Sequence, residues 1–302
     1  MRVVQQTTLA KPVSVSGAAL HAGAKVTAVL RPAAAGAGVV FRRIDVAMTA
    51  AQPIPATPAN VASTTLCTTL SAGLSAADSV EIATTEHLLA ALSLCGVDNA
   101  IIDVDAPELP ILDGSAGPFV DAIYRAGLKP LGAPREVLRV MAPIELRDGD
   151  RFIRVEPYNG RVIDVSIDFP DAFIGRQAVS VDLDDHASIA RLTSARTFCR
   201  LGDIEVMRAA GLARGGSLDN AIVIDGARMI NEAPLRDPHE FALHKALDLI
   251  GDLRLAGGHL LGAVTANKPG HDLNTKFAAM LGASRTRVER TALPLDAVRM
   301  PA

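Results

Sequence analysis

Apolar residues recur along the chain in two rhythms, and the rhythms alternate in nearly the same order in each half. Alternating runs predict half-buried strands at VTAVLRP (26–32) and GVVFRR (38–43), and again at FIRVEPY (152–158) and RVIDVSIDF (161–169). Each half then continues as helix, strand, loop and helix. In the first half these are 84–95, 100–104, a Pro/Gly/Asp loop and 118–126; in the second they are 238–250, 260–266, 267–271 and 274–281. Between the halves, LKPLGAPREV (128–137) carries two prolines and a glycine and reads as a linker. The pattern predicts an α+β fold of two similar domains from duplication, residues 1–128 and 129–302, with helices on one face of each sheet. The duplication is read from element order, since no residue-level identity links the halves.

Two insertions break the symmetry. One is the Ser/Thr-rich ASTTLCTTLSAGLSA (62–76). The other lies within 195–223, where RTFCRLGDIEVMRAAGL reads as helix and LDNAIVIDG as strand. From residue 284 the tail lacks periodicity and reads as peripheral.

Composition narrows the function classes. Mean hydropathy is +0.26, but 51 of the 302 residues are alanine, and the longest uncharged stretch (46–77) is broken by three prolines. No spanning helix is expected there. The start, MRVVQQTTLAKPV, has no apolar signal-like run, so a soluble cytoplasmic protein is expected. A net charge of −3 and the absence of tryptophan argue against a nucleic-acid partner. Cys67, Cys95 and Cys199 lie far apart and form neither a disulfide framework nor a thiolate metal motif.

The seven histidines are more informative. In DPHEFALHKALDLIGDL (237–253), Asp237, Pro238 and Glu240 suit the N-cap, N1 and N3 positions of a helix. Leu243, Ala246, Leu247 and Ile250 form its buried stripe, leaving His244 and Asp248 one turn apart, with Asp252 continuing the row. An imidazole and a carboxylate at that spacing converge on one cation; the same spacing suits a solvated pair on an ordinary amphipathic helix. TTEHLLAAL (84–92), capped by Thr84 or Thr85, offers a third ligand in His87, with Glu86 beside it as a base for a bound water. The bland alternative is that Glu86 complements the helix dipole. His271 sits in a Pro/Gly loop suited to acid–base work, and Thr197 offers a hydroxyl to an oxyanion. Asp103, Asp105, Glu108 and Asp113 are discounted as a metal cluster because they interleave with apolar residues. RGGSLDN (214–220) is discounted as a phosphate loop, and His186 and His239 read as solvated.

Taken together, TTEHLLAAL, GVDNAIIDVDAPELPILDGSAGPFV, ARTF, GGSLDNAIV, HKALDLIGDL and KPGHDLN closely resemble the UDP-3-O-acyl-N-acetylglucosamine deacetylase family, the zinc hydrolases of Gram-negative lipid A synthesis. The resemblance runs from about residue 6 to 281. It implies one Zn2+ per chain held by His87, His244 and Asp248, with Glu86 as general base. His271, oriented by Asp252, would be the cationic partner; Thr197 would polarise the amide oxygen and Lys245 would lie beside the site. It places Lys268, Arg151, Asp168 and Phe169 at the UDP moiety. Leu201, Ile204, Ala213, Gly216, Ser217, Ala221 and Val223 would line the acyl passage, within an insertion at about 198–226. It further implies helices packed between the two sheets, a monomer, a small amphiphilic UDP-sugar as partner, and at most transient contact with a membrane surface. Cys199 stands where the family usually has glycine, and Thr65 where a larger apolar residue is frequent; neither falls on a proposed ligand. Two other readings use the same residues: a zinc hydrolase of another amide, separable by substrates lacking UDP or the acyl chain, and a non-catalytic binder, whose ligand binding survives chelation.

Overall fold

A computed structural model of the chain describes residues 3–47, 52–73 and 79–295. The architecture is α+β. One sheet runs in the spatial order Val13–Ala18, Lys25–Pro32, Ala100–Val104, Val39–Arg43, Ile54–Pro55. Its central strand is antiparallel to Lys25–Pro32 and parallel to Val39–Arg43, so that Leu30 and Phe41 both flank Ile102. The alternation read in the sequence faces inward as expected: Val26, Ala28 and Leu30 are buried and their neighbours are not.

A second sheet repeats that order with Ile144–Asp148, Arg151–Glu156, His259–Asn267, Arg161–Asp168 and Arg176–Asp182. Its central strand, His259–Asn267, is again antiparallel to Arg151–Glu156 and parallel to Arg161–Asp168, and its first residues also pair parallel with Glu136–Val140. In each half a helix precedes the central strand and another follows it: α1 (Glu86–Leu94) and α2 (Gly117–Ala126), then α5 (Glu240–Leu253) and α6 (His271–Ala283). Helices α3 (His186–Ser194) and α4 (Leu201–Ala209) lie between these sets in sequence.

Helices α1 and α5 pack directly on one another. Every residue of α5 except Lys245 is buried, as are residues 86–92 of α1. A helix buried all round must satisfy its polar side chains from within the protein. Gly251 sets the distance between the two: a Cβ there would lie 2.1 Å from the carbonyl oxygen of Glu86. Alanine favours helix over glycine by about 1 kcal/mol, yet Gly251→Ala is expected to destabilise the chain by about 1–3 kcal/mol, because the overlap is with backbone. It is also expected to weaken metal retention. Urea denaturation and metal titration test this; a variant as stable as the parent contradicts the close contact.

Several expectations are corrected. The 128–137 linker is instead strand, Leu128–Pro134, antiparallel to Gln5–Leu9, followed by Glu136–Val140. In a two-stranded sheet Pro130 and Pro134 can lie on an edge, where no N–H is needed. The tail is not peripheral throughout, since Val288–Ala292 pairs antiparallel with Glu136–Val140; it was hidden because an edge strand tolerates the charges of VERTA. Residues 296–302 lie outside the described residues. The predicted helix at 196–212 is shorter, with strand Phe198–Arg200 leading into α4 and pairing parallel with Ile222–Asp225. The Ser/Thr-rich segment contributes Val61–Ser63 and Thr69–Ala72 to a three-stranded sheet with Val80–Ile82, and its residues 74–76 lie outside the described set.

The capping box of α5 does not form. Asp237 accepts the N–H of His239 and pairs with Arg191, while the buried Glu240 takes Arg196 and the N–H of Arg236. A fully desolvated carboxylate needs its cation more than the helix needs a cap. The discounted acids are likewise engaged: Asp103 by Arg31 and Arg42, Asp105 by the N–H of Thr27, Glu108 by the N–H groups of His21 and Ala22, and Asp113 by Arg236. Gly215 of the glycine-rich segment is a close-approach residue, its absent Cβ lying 2.1 Å from the carbonyl of Ala19.

Candidate active site

The α1–α5 contact brings His87, His244 and Asp248 together. They form the one group of metal-ligating type found among the described residues, with one ligand atom from each lying within 4.8 Å of the others. Nε2 of His244 is 3.5 Å and Nε2 of His87 is 3.7 Å from the same oxygen, Oδ1 of Asp248. Four-coordinate zinc with bonds of about 2.0–2.2 Å separates its ligand atoms by roughly 3.4 Å, close to both distances. Oδ1 of Asp248 is buried and has no hydrogen-bond partner, while Oδ2 is held by Lys245 Nζ at 2.8 Å. Nδ1 of His244 lies 3.1 Å from the carbonyl of Ala195, so donation there leaves Nε2 with its lone pair. Burial pushes the His244 imidazole down to about 3, keeping it in the neutral form a metal requires. Burial would also raise Asp248, but His244 and Lys245 outweigh it and hold that carboxyl well below the usual range. The residues present fit a zinc-type ion.

Glu86 and His271 sit beside this group. Glu86, at the start of α1, is buried, and burial raises its carboxyl above the ordinary value despite the opposing effect of His271. α6 starts at His271, three residues earlier than the pattern predicts, which fixes the imidazole in its first turn. Its Nδ1 is 2.9 Å from Asp252 Oδ2. Burial would lower this imidazole, but the Asp252 charge and hydrogen bond raise it to about 9. A base with raised affinity for protons and a cationic imidazole therefore flank one metal-binding group. The thiol of Cys67, pushed up to about 12 by burial and by Glu86, is no nucleophile at neutral pH.

Thr197 lines an apolar cavity of about 300 Å3. Leu201, Ile204, Ala213, Gly216, Ser217, Ala221 and Val223 all line that cavity, together with Cys199. Leu20, His21 and Leu66 from the first half also line it, as do Met207, Leu218 and Ile230; the sequence around the first three, a strand end and a Ser/Thr-rich run, gives no sign of this. Thr65 is exposed. The Phe198 ring spans the two regions, meeting Phe169 at 5.4 Å, His244 at 6.2 Å and the Lys245 ammonium at 5.5 Å. Lys268, Arg151 and Asp168 cluster nearby: Lys268 Nζ lies 2.7 Å from Asp150 and 3.6 Å from Asp168, and Arg151 is paired with Asp272 at 2.6 Å. Both cations are thus engaged with carboxylates. Thr68 and Asn274 were missed in the sequence; both bond Asp252, and Thr68 also bonds Glu86.

The fold and the site define a metalloenzyme of the hydrolase class, with the candidate metal-binding group drawn from helices of both halves. The chain belongs to the UDP-3-O-acyl N-acetylglycosamine deacetylase family, whose model matches residues 6–283. It is 44% identical over 281 residues to the UDP-3-O-acyl-N-acetylglucosamine deacetylase of Methylococcus capsulatus, covering 92% of this chain and 90% of that one. The protein of the same name from Anaeromyxobacter sp. is 47% identical over 269 residues, 89% of this chain and 86% of its own. That of Xanthomonas oryzae is 42% identical over 297 residues, 97% and 95% respectively. No helix among the described residues is long and apolar enough to cross a membrane.

Proposed function

We infer that the chain hydrolyses the N-acetyl group of UDP-3-O-acyl-N-acetylglucosamine, releasing acetate and a free amine in lipid A biosynthesis. The observation that carries this reading is the convergence of His87, His244 and Asp248 beside Glu86 and His271, with Phe198 linking His244 to an apolar cavity that it also lines. One zinc ion per chain, when bound by those three ligands, supplies an acidified water and a polarised amide carbonyl. Glu86 takes the proton of the attacking water at its free oxygen. His271, kept cationic by Asp252, faces the charge that develops at the carbonyl oxygen and holds a proton for the leaving amine. The Thr197 hydroxyl adds a donor at the carbonyl, and Lys245 restrains Asp248. The acyl chain occupies the cavity bounded by Leu201, Ile204 and Val223. The UDP group takes the Lys268, Arg151, Asp168 and Phe169 surface, exchanging the internal carboxylate partners for phosphate. The repeated sheet order supports a division into two α+β domains at about residue 128. A cytoplasmic monomer meeting a membrane surface transiently suits an amphiphilic substrate.

Incubating the zinc-loaded protein with UDP-3-O-acyl-N-acetylglucosamine tests the reading. Acetate is expected in amounts equal to free amine, and kcat/KM is expected to fall at least about 100-fold for UDP-N-acetylglucosamine, because binding energy from the acyl chain contributes to the transition state. No acetate from either substrate overturns it.

A further inference from the structure

We propose that Thr68 is a positioning residue for this reaction. Its backbone N–H and its hydroxyl tie the carboxylates of Glu86 and Asp252 to one strand end, fixing which oxygen of Glu86 meets the reacting water and how His271 is held. The proposal rests on the deacetylase reading, to which it adds a residue that the sequence motifs did not single out.

Thr68 is fully buried, and each of its polar atoms is directed at the site or at the start of α1. The N–H donates to Glu86 Oε2 at 2.9 Å, and the hydroxyl donates to Asp252 Oδ1 at 2.5 Å. The hydroxyl oxygen also lies 3.3 Å from His271 Nδ1. Its carbonyl accepts both the N–H and the hydroxyl of Thr85. Among the described residues no other group is hydrogen-bonded to both Glu86 and Asp252. Oε2 thus carries one N–H bond while Oε1 has no hydrogen bond among the described residues, which leaves Oε1 the more open oxygen for a proton. Asp252 is divided in the same manner: Thr68 holds Oδ1, while His271 and Asn274 share Oδ2.

The backbone supports this arrangement at some strain. Leu66 (φ +66°) and Thr84 (φ +58°) are both in the left-handed region, and each stands two residues before one end of the Thr68–Glu86 bond. Such conformations persist where the surrounding structure imposes them, and they concentrate at functional sites. Removing the hydroxyl leaves Oδ1 of a fully buried carboxylate without its partner, so Asp252 is restrained through Oδ2 alone and its hold on the orientation of His271 loosens.

Thr68→Val keeps the shape and removes the hydroxyl. In the zinc-loaded enzyme it is expected to lower kcat about 10–100-fold, with KM and zinc content near those of the parent and a thermal midpoint lower by a few degrees. Thr68→Ala, measured in parallel, removes the hydroxyl without the branched methyls and is expected to show the same loss. Thr68→Ser is expected to restore kcat to within a few-fold. In an Asp252→Asn background the Thr68→Val change is expected to cost almost nothing more, because the group it positions is already lost. An undiminished kcat in both hydroxyl-free variants, or a full further loss in the Asp252→Asn background, overturns the proposal. The parent enzyme run alongside separates the two ideas: a parent that releases no acetate refutes the deacetylase reading, whereas an active parent with unaffected variants refutes only the role of Thr68.

Discussion

His244→Ala is expected to abolish stoichiometric zinc binding and to lower kcat/KM by roughly 1,000-fold or more, the rate equivalent of the several kcal/mol that a Lewis acid contributes. The geometry explains why this ligand matters so much. His244 presents Nε2 at 3.5 Å from Asp248 Oδ1 because Ala195 engages its other nitrogen, and its burial keeps it neutral. With the imidazole gone, Asp248 and His87 are two ligands, too few for a retained ion. Elemental analysis of the purified variant, with acetate release measured before and after chelation of the parent, provides the check. A variant that keeps both zinc and turnover removes His244 from the site.

The second large effect is expected at the proton-handling pair. Glu86→Gln and His271→Gln should each retain zinc, yet each should lower kcat about 100- to 10,000-fold. Glutamine preserves the size of Glu86 and accepts the Thr68 N–H, but it cannot take a proton from water. At position 271 it cannot become cationic, so the charge that Asp252 induces in the native imidazole is lost. The double variant is expected to be much less impaired than the product of the two losses, since both groups act on one reaction coordinate. Parallel measurement of kcat, KM and zinc content decides the matter. A loss confined to KM would place these residues in substrate binding instead.

Much of this site was legible before any coordinates because its chemistry is concentrated in short segments. His244 and Asp248 share a helical row that the leucine pattern of α5 makes visible, and Glu86–His87 open a helix where the threonine pair predicts one, although the hydroxyls of Thr84 and Thr85 donate to Glu108 and to the Thr68 carbonyl and cap no N–H. The sequence could not say that the two helices touch. That depends on Gly251, whose meaning appears only when the Glu86 carbonyl is seen against it. Thr68 escaped notice because it lies in a run crowded with hydroxyls, and nothing local distinguishes the one that reaches Asp252, 184 positions away. The α5 cap was misread for a related reason: a local signal at Asp237 and Glu240 lost to a buried pairing with Arg196 from a distant loop. The edge strand Val288–Ala292 carries too few apolar residues to announce itself, and its pairing supplies what its composition does not.

The division of the metal ligands between α1 and α5 bears on how the chain matures. During synthesis the first half emerges with His87 alone, and no pair of ligands exists until α5 has been made. Metal affinity at this group would therefore arise late, with the docking of α5 on α1, and would not stabilise a half-finished chain. Once the ion is held, it favours only those conformations in which the two helices are in contact. On the reading proposed above, zinc uptake would act as a quality check on assembly: a chain whose halves have folded separately but have not docked offers at best two of the three candidate ligands, and the apolar cavity, lined by Leu20 and Leu66 from one half and Ile204 from the other, is incomplete for the same reason.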